Sequence, residues 1–162
     1  MKPALAALLL FIQPSGLFAK GDTVRITIKG ESLLRPIEIA DDAVIRQFNV
    51  WAGAGANAQS NEGFIVDWSK AVGELPKGLR LYAVAFQTSR PGSHPYTVIY
   101  AVDPSSHRGY VYIPAKGEPF YRDNVALILR GTEGNWFRAL DAWEQIANPR
   151  IAIAQAARND HN

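Results

Sequence analysis

The sequence predicts a mainly β protein of the α+β class: an antiparallel β sandwich or curled sheet with one or two C-terminal helices packed on it. Two observations lead to this prediction. Short segments with strand-like apolar patterns, separated by turns rich in Gly, Pro, Asp and Ser, fill most of the chain. After Gly134, apolar residues recur at three- and four-residue spacing, which is typical of an amphipathic helix. Because strands and helices do not alternate, a parallel α/β sheet is not expected.

The chain begins with the pattern of a secretory signal peptide, which we assign to residues 1–19. Lys2 supplies the positive start, residues 4–12 (ALAALLLFI) form an unbroken apolar core, and a polar breaker precedes the small residue Ala19. A buried N-terminal strand or helix is the alternative. The apolar run is about half of the ~20 residues that span a bilayer, so we expect no membrane span in the mature chain. Residues 20–162 should then form a single β-rich globular domain with a C-terminal helical segment.

Composition excludes several classes of site and partner. The 162-residue chain has no cysteine, which excludes disulfides, thiolate metal sites and a cysteine nucleophile. It has 17 Lys and Arg against 15 Asp and Glu, and the loss of Lys2 with residues 1–19 leaves a net charge near +1. No cluster of basic residues stands out, so we expect no nucleic-acid partner. An exported, disulfide-free chain fits the bacterial periplasm or exterior.

The first strand is the clearest element. Residues 23–29 (TVRITIK) alternate between apolar and polar side chains and predict a half-buried strand. Its predicted apolar face holds Val24, Ile26 and Ile28. Similar but less regular patterns predict strands in residues 36–40, 43–52 and 64–68.

The next strands are expected at the centre of the sheet. Residues 79–87 and 96–102 are apolar on both faces, which is typical of strands covered on both sides. A turn over residues 75–78 (LPKG) precedes them, and residues 109–113 (GYVYI) form the returning strand. The apolar segment 125–129 (VALIL) is ambiguous between strand and helix.

The C-terminal part predicts helices. Asn135 is the predicted N-cap of a helix whose apolar face holds Trp136, Phe137, Leu140, Trp143, Ile146 and Ala147. This pattern places both tryptophans in the core. Pro149 is expected to interrupt the helix after Asn148, and a second helical stretch follows in residues 150–158.

The loop between the third and fourth predicted strands is the first candidate site. Its letters Gly53, Gly55 and Ala58 match a dinucleotide fingerprint, but no helix follows to hold a phosphate, so no nucleotide cofactor is expected. The loop is either an ordinary connection or a surface that meets a ligand or partner. The expected ligand-binding residues are Trp51, Gly53, Gly55, Asn57, Asn61 and Trp68.

Histidines and carboxylates give a second hypothesis, a small envelope hydrolase. His94 and His107 both lie in turns, and either could pair with an Asp or Glu that the fold brings close. Asp103 is expected to accept backbone N–H bonds within the turn that contains His107. No histidine has metal-ligand spacing, so we assign no metal, no cofactor and no catalytic residue.

Three stretches, FNVWAG (48–53), GYVYIP (109–114) and GNWFRALDAWE (134–144), resemble a group of uncharacterised exported bacterial proteins. The resemblance implies export and one compact domain, and it supplies no site residues. The sequence therefore favours an exported, soluble, non-catalytic binding or interaction module of the bacterial cell envelope, with an unknown protein or glycan partner. The hydrolase and a purely structural envelope component are the alternatives.

Overall fold

The computed structural model describes residues 22–48, 50, 64–89, 91–122 and 131–159. The elements in these residues are, in chain order, β1 Thr23–Lys29, β2 Ile37–Ile39, α1 Asp42–Ile45, β3 Val66–Val72, β4 Arg80–Thr88, β5 Tyr96–Val102, β6 Gly109–Tyr112, β7 Trp136–Ala139 and α2 Asp141–Asn159. The predicted signal peptide and the ambiguous segment 125–129 lie outside the described residues.

The strands form one open sheet in the order β2-β1-β4-β5-β6-β7-β3. Every neighbouring pair is antiparallel. The prediction of a mainly β, antiparallel fold with a C-terminal helix is therefore confirmed, and the described strands form one sheet. The expected turn over residues 75–78 is also present, and Gly78 adopts the positive φ of 76° that glycine tolerates there.

The inner face of the sheet holds the core. On this face Tyr82 lies opposite Tyr100 and Phe86 opposite Tyr96, and all four side chains are buried. Helix α2 packs over them through Trp143, whose side chain is 0 % exposed. Three rings surround its indole, at centroid distances of 5.2 Å for Phe48, 5.9 Å for Tyr100 and 6.4 Å for Phe86.

The outer face carries a second set of apolar side chains, because side chains alternate along each strand. The strand register places five residues in one row across five strands: Lys29, Ala83, Ile99, Tyr112 and Trp136. A neighbouring row contains Leu81, Ala101, Tyr110 and Arg138. Helix α2 covers the inner face. Leu81 lies on the outer face, where 57 % of it is exposed.

Two early predictions are corrected. Residues 42–45 form a helical turn rather than the predicted strand, because the Asp41 carboxylate accepts a hydrogen bond from the Ala43 N–H and caps it. Burial of Val44 and Phe48 then follows helical spacing. Val24 is 46 % exposed instead of inward-facing, because the β1–β4 register shifts around it.

The start of the C-terminal helix is also corrected. Trp136 begins β7 and lies on the outer face, half-buried, so it is not part of the helical core stripe. Asn135 caps no helix; its side-chain amide donates to the carbonyl oxygens of Thr132 and Glu133. Burial alternates along Trp136–Ala139, as expected for a strand. The sequence did not indicate this strand, because the same residues also fit the apolar spacing of a helix.

Pro149 lies inside α2 and does not end it. Proline removes one helical N–H and is unfavourable there. However, Ala147 before it and Ile151 after it are both buried, so core packing holds the helix on both sides. Arg150 also donates from its guanidinium to the Ile146 carbonyl oxygen, which supplies a side-chain hydrogen bond beside the interruption.

The edge strand β3 is irregular. Its register with β7 runs from Asp67 opposite Arg138 directly to Ala71 opposite Phe137, so the residues between them bulge out of the ladder. The Asp67 carboxylate accepts hydrogen bonds from the Ser69 N–H and hydroxyl and pairs with Lys70 at 2.8 Å.

Replacing Trp143 by alanine should lower the free energy of unfolding by about 3–5 kcal/mol, because a large, fully buried ring leaves a cavity. Urea denaturation followed by circular dichroism measures this change. Ile153→Ala on the same helix is the control, since Ile153 is 72 % exposed and should cost no more than about 0.5 kcal/mol. Equal losses for both variants would contradict the packing described for α2.

Candidate functional site

Only one of the six predicted ligand-binding residues lies in the described part of the chain. Trp51, Gly53, Gly55, Asn57 and Asn61 are outside the described residues. Trp68 lies on β3, half-buried, with its ring stacked on Phe64 at 6.1 Å and set edge-on to Phe137 at 5.2 Å. These contacts give Trp68 a packing role at the edge of the core, and its assignment to a ligand stays a prediction.

The structure places a groove of about 670 Å³ at the end of the sheet where β1 stops; Leu81 and Ala83 line it from the outer face, and Tyr82 lines it from the inner face. Its apolar lining is supplied by Leu79, Leu81, Ala83 and Ile99. Ala83 lies between Lys29 and Ile99 in the strand register, and its small side chain leaves the depression between them. The volume lies within the ~300–1,000 Å³ typical of ligand pockets.

A smaller polar cavity of about 280 Å³ adjoins this groove, because Ser32 and Arg80 line both. Gln155 of α2 organises the junction. Its amide nitrogen donates to the Ser32 hydroxyl at 3.0 Å and to the Tyr82 hydroxyl at 2.9 Å. Its amide oxygen accepts from Arg80 at 2.9 Å, so one side chain fixes the positions of both walls. Arg158, one turn further along α2, completes the lining.

The charge at this end of the groove is positive. Lys29, Arg80 and Arg158 line the groove or the adjoining cavity, against a single acid, Glu31. No carboxylate of the described residues lies within 4.0 Å of any of these three cations. Arg158 instead donates to the backbone carbonyl oxygen of Glu31. The site therefore combines an apolar floor on the outer face, next to Lys29, with the guanidinium groups of Arg80 and Arg158 on the side of the sheet that α2 covers.

Aromatic residues continue the outer face away from the groove. Tyr112 and Trp136 lie directly opposite each other, with ring centroids 5.0 Å apart. Burial, followed by the hydrogen bond to Glu118, raises the pKa of the Tyr112 hydroxyl. Arg138 lies 5.1 Å over the ring of Tyr110. In this strip Tyr112, Trp136 and Arg138 are half-buried and Tyr110 is buried.

A second cavity, of about 430 Å³, lies beside the turn that contains His107 and brings this histidine near Asp141 and Glu144. No carboxylate of the described residues lies within 4.0 Å of either His94 or His107. Both histidines are exposed and belong to separate turns. The described residues therefore show no assembled acid–base pair.

The polar groups of this cavity act as structural ties. Glu144 accepts from the Gly109 N–H at 2.6 Å and pairs with Arg138 at 3.3 Å, with both side chains largely buried. The Tyr100 hydroxyl donates to Asn148 at 2.7 Å, and burial followed by the charge of Glu144 raises the Tyr100 pKa. At Gly109 a Cβ atom would lie 2.6 Å from the Tyr100 ring, which explains why glycine occupies this position.

The turn before His107 confirms the prediction made for Asp103. One carboxylate oxygen accepts from the Ser105 N–H at 2.9 Å and hydroxyl at 2.7 Å, and the other accepts from the Ser106 hydroxyl at 2.6 Å. These bonds, Ser106 first, lower the Asp103 pKa from 3.8 to about 2. A carboxylate that stays ionised in a turn is suited to a structural role rather than to proton transfer at neutral pH.

No protein-family model, curated protein or solved structure matches this chain. The described residues contain no group of three or more His, Asp and Glu side chains placed to hold a metal ion. They also contain no helix with the length and apolar character needed to cross a bilayer.

Sequence reasoning missed the groove residues Lys29, Arg80, Leu81, Gln155 and Arg158. The sequence did contain one signal for an apolar surface on the outer face. Segment 79–87 is apolar on both faces, whereas a sheet that a helix covers on one side needs only one apolar face. The convergence of α2 with the start of β4 could not be read from the chain, because these elements are far apart in sequence.

Replacing Asp103 by asparagine should lower the melting temperature, and the loss should depend on pH. Because the folded-state pKa lies below the ordinary 3.8, the ionised carboxylate stabilises the fold above that pH and loses this effect as pH falls through about 2. The difference between wild type and variant should therefore be full at neutral pH and shrink between about pH 4 and about pH 2. Thermal melts across this range measure it.

Asp141→Asn is the control for Asp103→Asn. Its side chain is 81 % exposed and its contact with Arg108 is long, at 3.9 Å, so the substitution should change the melting temperature little. A melting-temperature difference for Asp103→Asn that stays constant down to pH 2 would contradict the hydrogen-bonding role assigned to Asp103.

Proposed function

We propose that this protein is an exported, non-catalytic binding module of the bacterial cell envelope, and that the outer face of its sheet is the binding surface. The observation that carries the proposal is the apolar groove of about 670 Å³ on that face, with Leu81 57 % exposed in it. The core is completed on the inner face by α2, so the outer apolar row is not needed to pack the helix. An exposed apolar surface of this kind is typical of an interaction site.

The N-terminal pattern supports the exported part of the proposal. Residues 1–19 combine a positive start, an apolar run and a small residue in the order of a signal peptide. The absence of cysteine is compatible with a compartment in which folding relies on the core. The resemblance to exported bacterial proteins at residues 48–53, 109–114 and 134–144 points to the same compartment.

The small hydrolase is the second candidate, because His107, Asp141 and Glu144 share one cavity. Binding is favoured over it for a geometric reason. Glu144 is held by Gly109 and Arg138, and neither it nor Asp141 lies within the 4.0 Å that would mark an ion pair with His107. A general base must reach the proton that it removes, and this arrangement does not yet orient His107 for that task.

Export is tested by expressing the full chain in a Gram-negative host and separating periplasm from cytoplasm. We expect the periplasmic protein to begin at or next to Lys20 in its intact mass, because the predicted cleavage follows Ala19. A chain lacking residues 2–19 should stay in the cytoplasm. Recovery of the uncleaved chain in the cytoplasm would contradict the signal-peptide assignment.

The binding surface is tested by replacing Leu81 with glutamate. A charge in the groove should abolish capture of the envelope component that co-purifies with the mature protein, because the apolar contact loses its driving force. Quantitative mass spectrometry of material bound to the immobilised protein measures this loss.

Ile153→Glu is the matched control, since it also replaces an exposed apolar residue, 72 % exposed, but on the solvent side of α2. Both variants should keep a stability within about 0.5 kcal/mol of wild type. If Leu81→Glu retains every captured component, the outer face is not the binding surface. If both variants lose them equally, the effect is not specific to the groove.

A further inference from the structure

We infer that the groove binds a long-chain carboxylate, with the alkyl chain along the outer face next to Lys29 and the carboxylate beyond the end of β1, at Arg80 and Arg158. This inference rests on the proposed binding function and specifies the ligand class for the same surface. It follows from the combination of an apolar channel with a cationic end in two cavities that share Ser32 and Arg80.

The apolar half of the site suits an extended hydrocarbon. Leu79, Leu81 and Ile99 line the groove, and Ala83 leaves the space between them unfilled. The methylene stem of Lys29, next to Ala83 in the strand register, can lie along the same surface while its ammonium group reaches the solvent. Polar groups that would specify a sugar are few on this floor, whereas alkyl burial gains about 0.8 kcal/mol for each methylene.

The charged half of the site suits a carboxylate. A guanidinium has five N–H donors, and those of Arg80 and Arg158 each give one to a described residue, Gln155 and Glu31 respectively. Their remaining donors can bind the two oxygens of a carboxylate in the fork geometry that arginine favours. Because Gln155 holds Arg80 from one side, this guanidinium is oriented before the ligand arrives.

The balance of charge decides between ligands of opposite sign. Lys29, Arg80 and Arg158 line the two cavities together with one acid, Glu31, so an anionic head group is attracted and a cationic one is repelled. A neutral head group would leave the arginine donors without an ionic partner. The site is therefore expected to distinguish amphiphiles by the charge of their head group as well as by chain length.

Isothermal titration calorimetry of the mature protein with dodecanoate, below its micellar concentration, tests the inference. We expect saturable binding with one ligand for each chain. Each methylene removed from the ligand should weaken binding roughly fourfold, so octanoate binds far more weakly and acetate not measurably. Dodecyltrimethylammonium, with the same chain and the opposite charge, should bind at least about tenfold more weakly than dodecanoate.

Two variants separate the apolar and the charged contributions. Leu81→Glu should weaken dodecanoate binding by at least about tenfold, whereas Ile153→Glu should leave it unchanged. The double variant Arg80→Gln/Arg158→Gln should remove the preference for dodecanoate over dodecyltrimethylammonium while keeping chain-length dependence. A purely structural role for these arginines would not change this ratio, and circular dichroism establishes that each variant is folded.

Three results would overturn the inference: no saturable binding of dodecanoate, equal affinity for the cationic amphiphile, or binding only to phosphatidylglycerol vesicles. The last would identify the face as a membrane-contacting surface instead. If dodecanoate fails while capture from the envelope still depends on Leu81, the ligand class is wrong and the proposed binding function stands. If Leu81→Glu has no effect in either experiment, the binding function itself is overturned.

Discussion

Packing of Trp143 against the inner face is the interaction on which the other features depend. Its indole meets rings from three separate parts of the chain, Phe48 after α1, Phe86 of β4 and Tyr100 of β5. This contact fixes which face of the sheet the helix covers and therefore which face remains partly exposed. The same contact brings the later turns of α2 to the start of β4, where Gln155 and Arg158 can meet Arg80.

Polar contacts fix the position of α2 along the sheet, which apolar packing alone would leave loosely defined. Near its start, Glu144 accepts from the Gly109 N–H and pairs with Arg138. In its middle, Asn148 bridges the Tyr100 hydroxyl and the His107 carbonyl oxygen. A partly buried ion pair contributes little net stability unless its geometry is satisfied, but it penalises wrong registers strongly. Glu144 and Asn148, which line the cavity beside His107, therefore have structural roles that do not require a catalytic function.

Much of the fold could be predicted because several strands carry their own signals. The alternation in β1 and the turns beside β5 depend on neighbouring residues only. Two predictions failed where a local pattern was ambiguous: Trp136–Ala139 fits both helical and strand spacing, and Asp41 caps a helix that propensity alone did not indicate. The groove could not be predicted, because it forms where distant segments converge. The predicted loop residues of the site, Trp51 to Asn61, remain a prediction.

The irregular strand β3 has a consequence for how this protein can meet other molecules. An open sheet exposes unpaired N–H and C=O groups at its two edges, and such edges can recruit a strand from another chain. Here one edge is β2, only three residues long, and the other is interrupted by the bulge after Asp67, next to the charge of Lys70. Within the part of the chain that the structure describes, neither edge offers a long, regular template for strand addition. Self-association of these described strands by edge-to-edge pairing, the first step towards fibrils, is thereby discouraged.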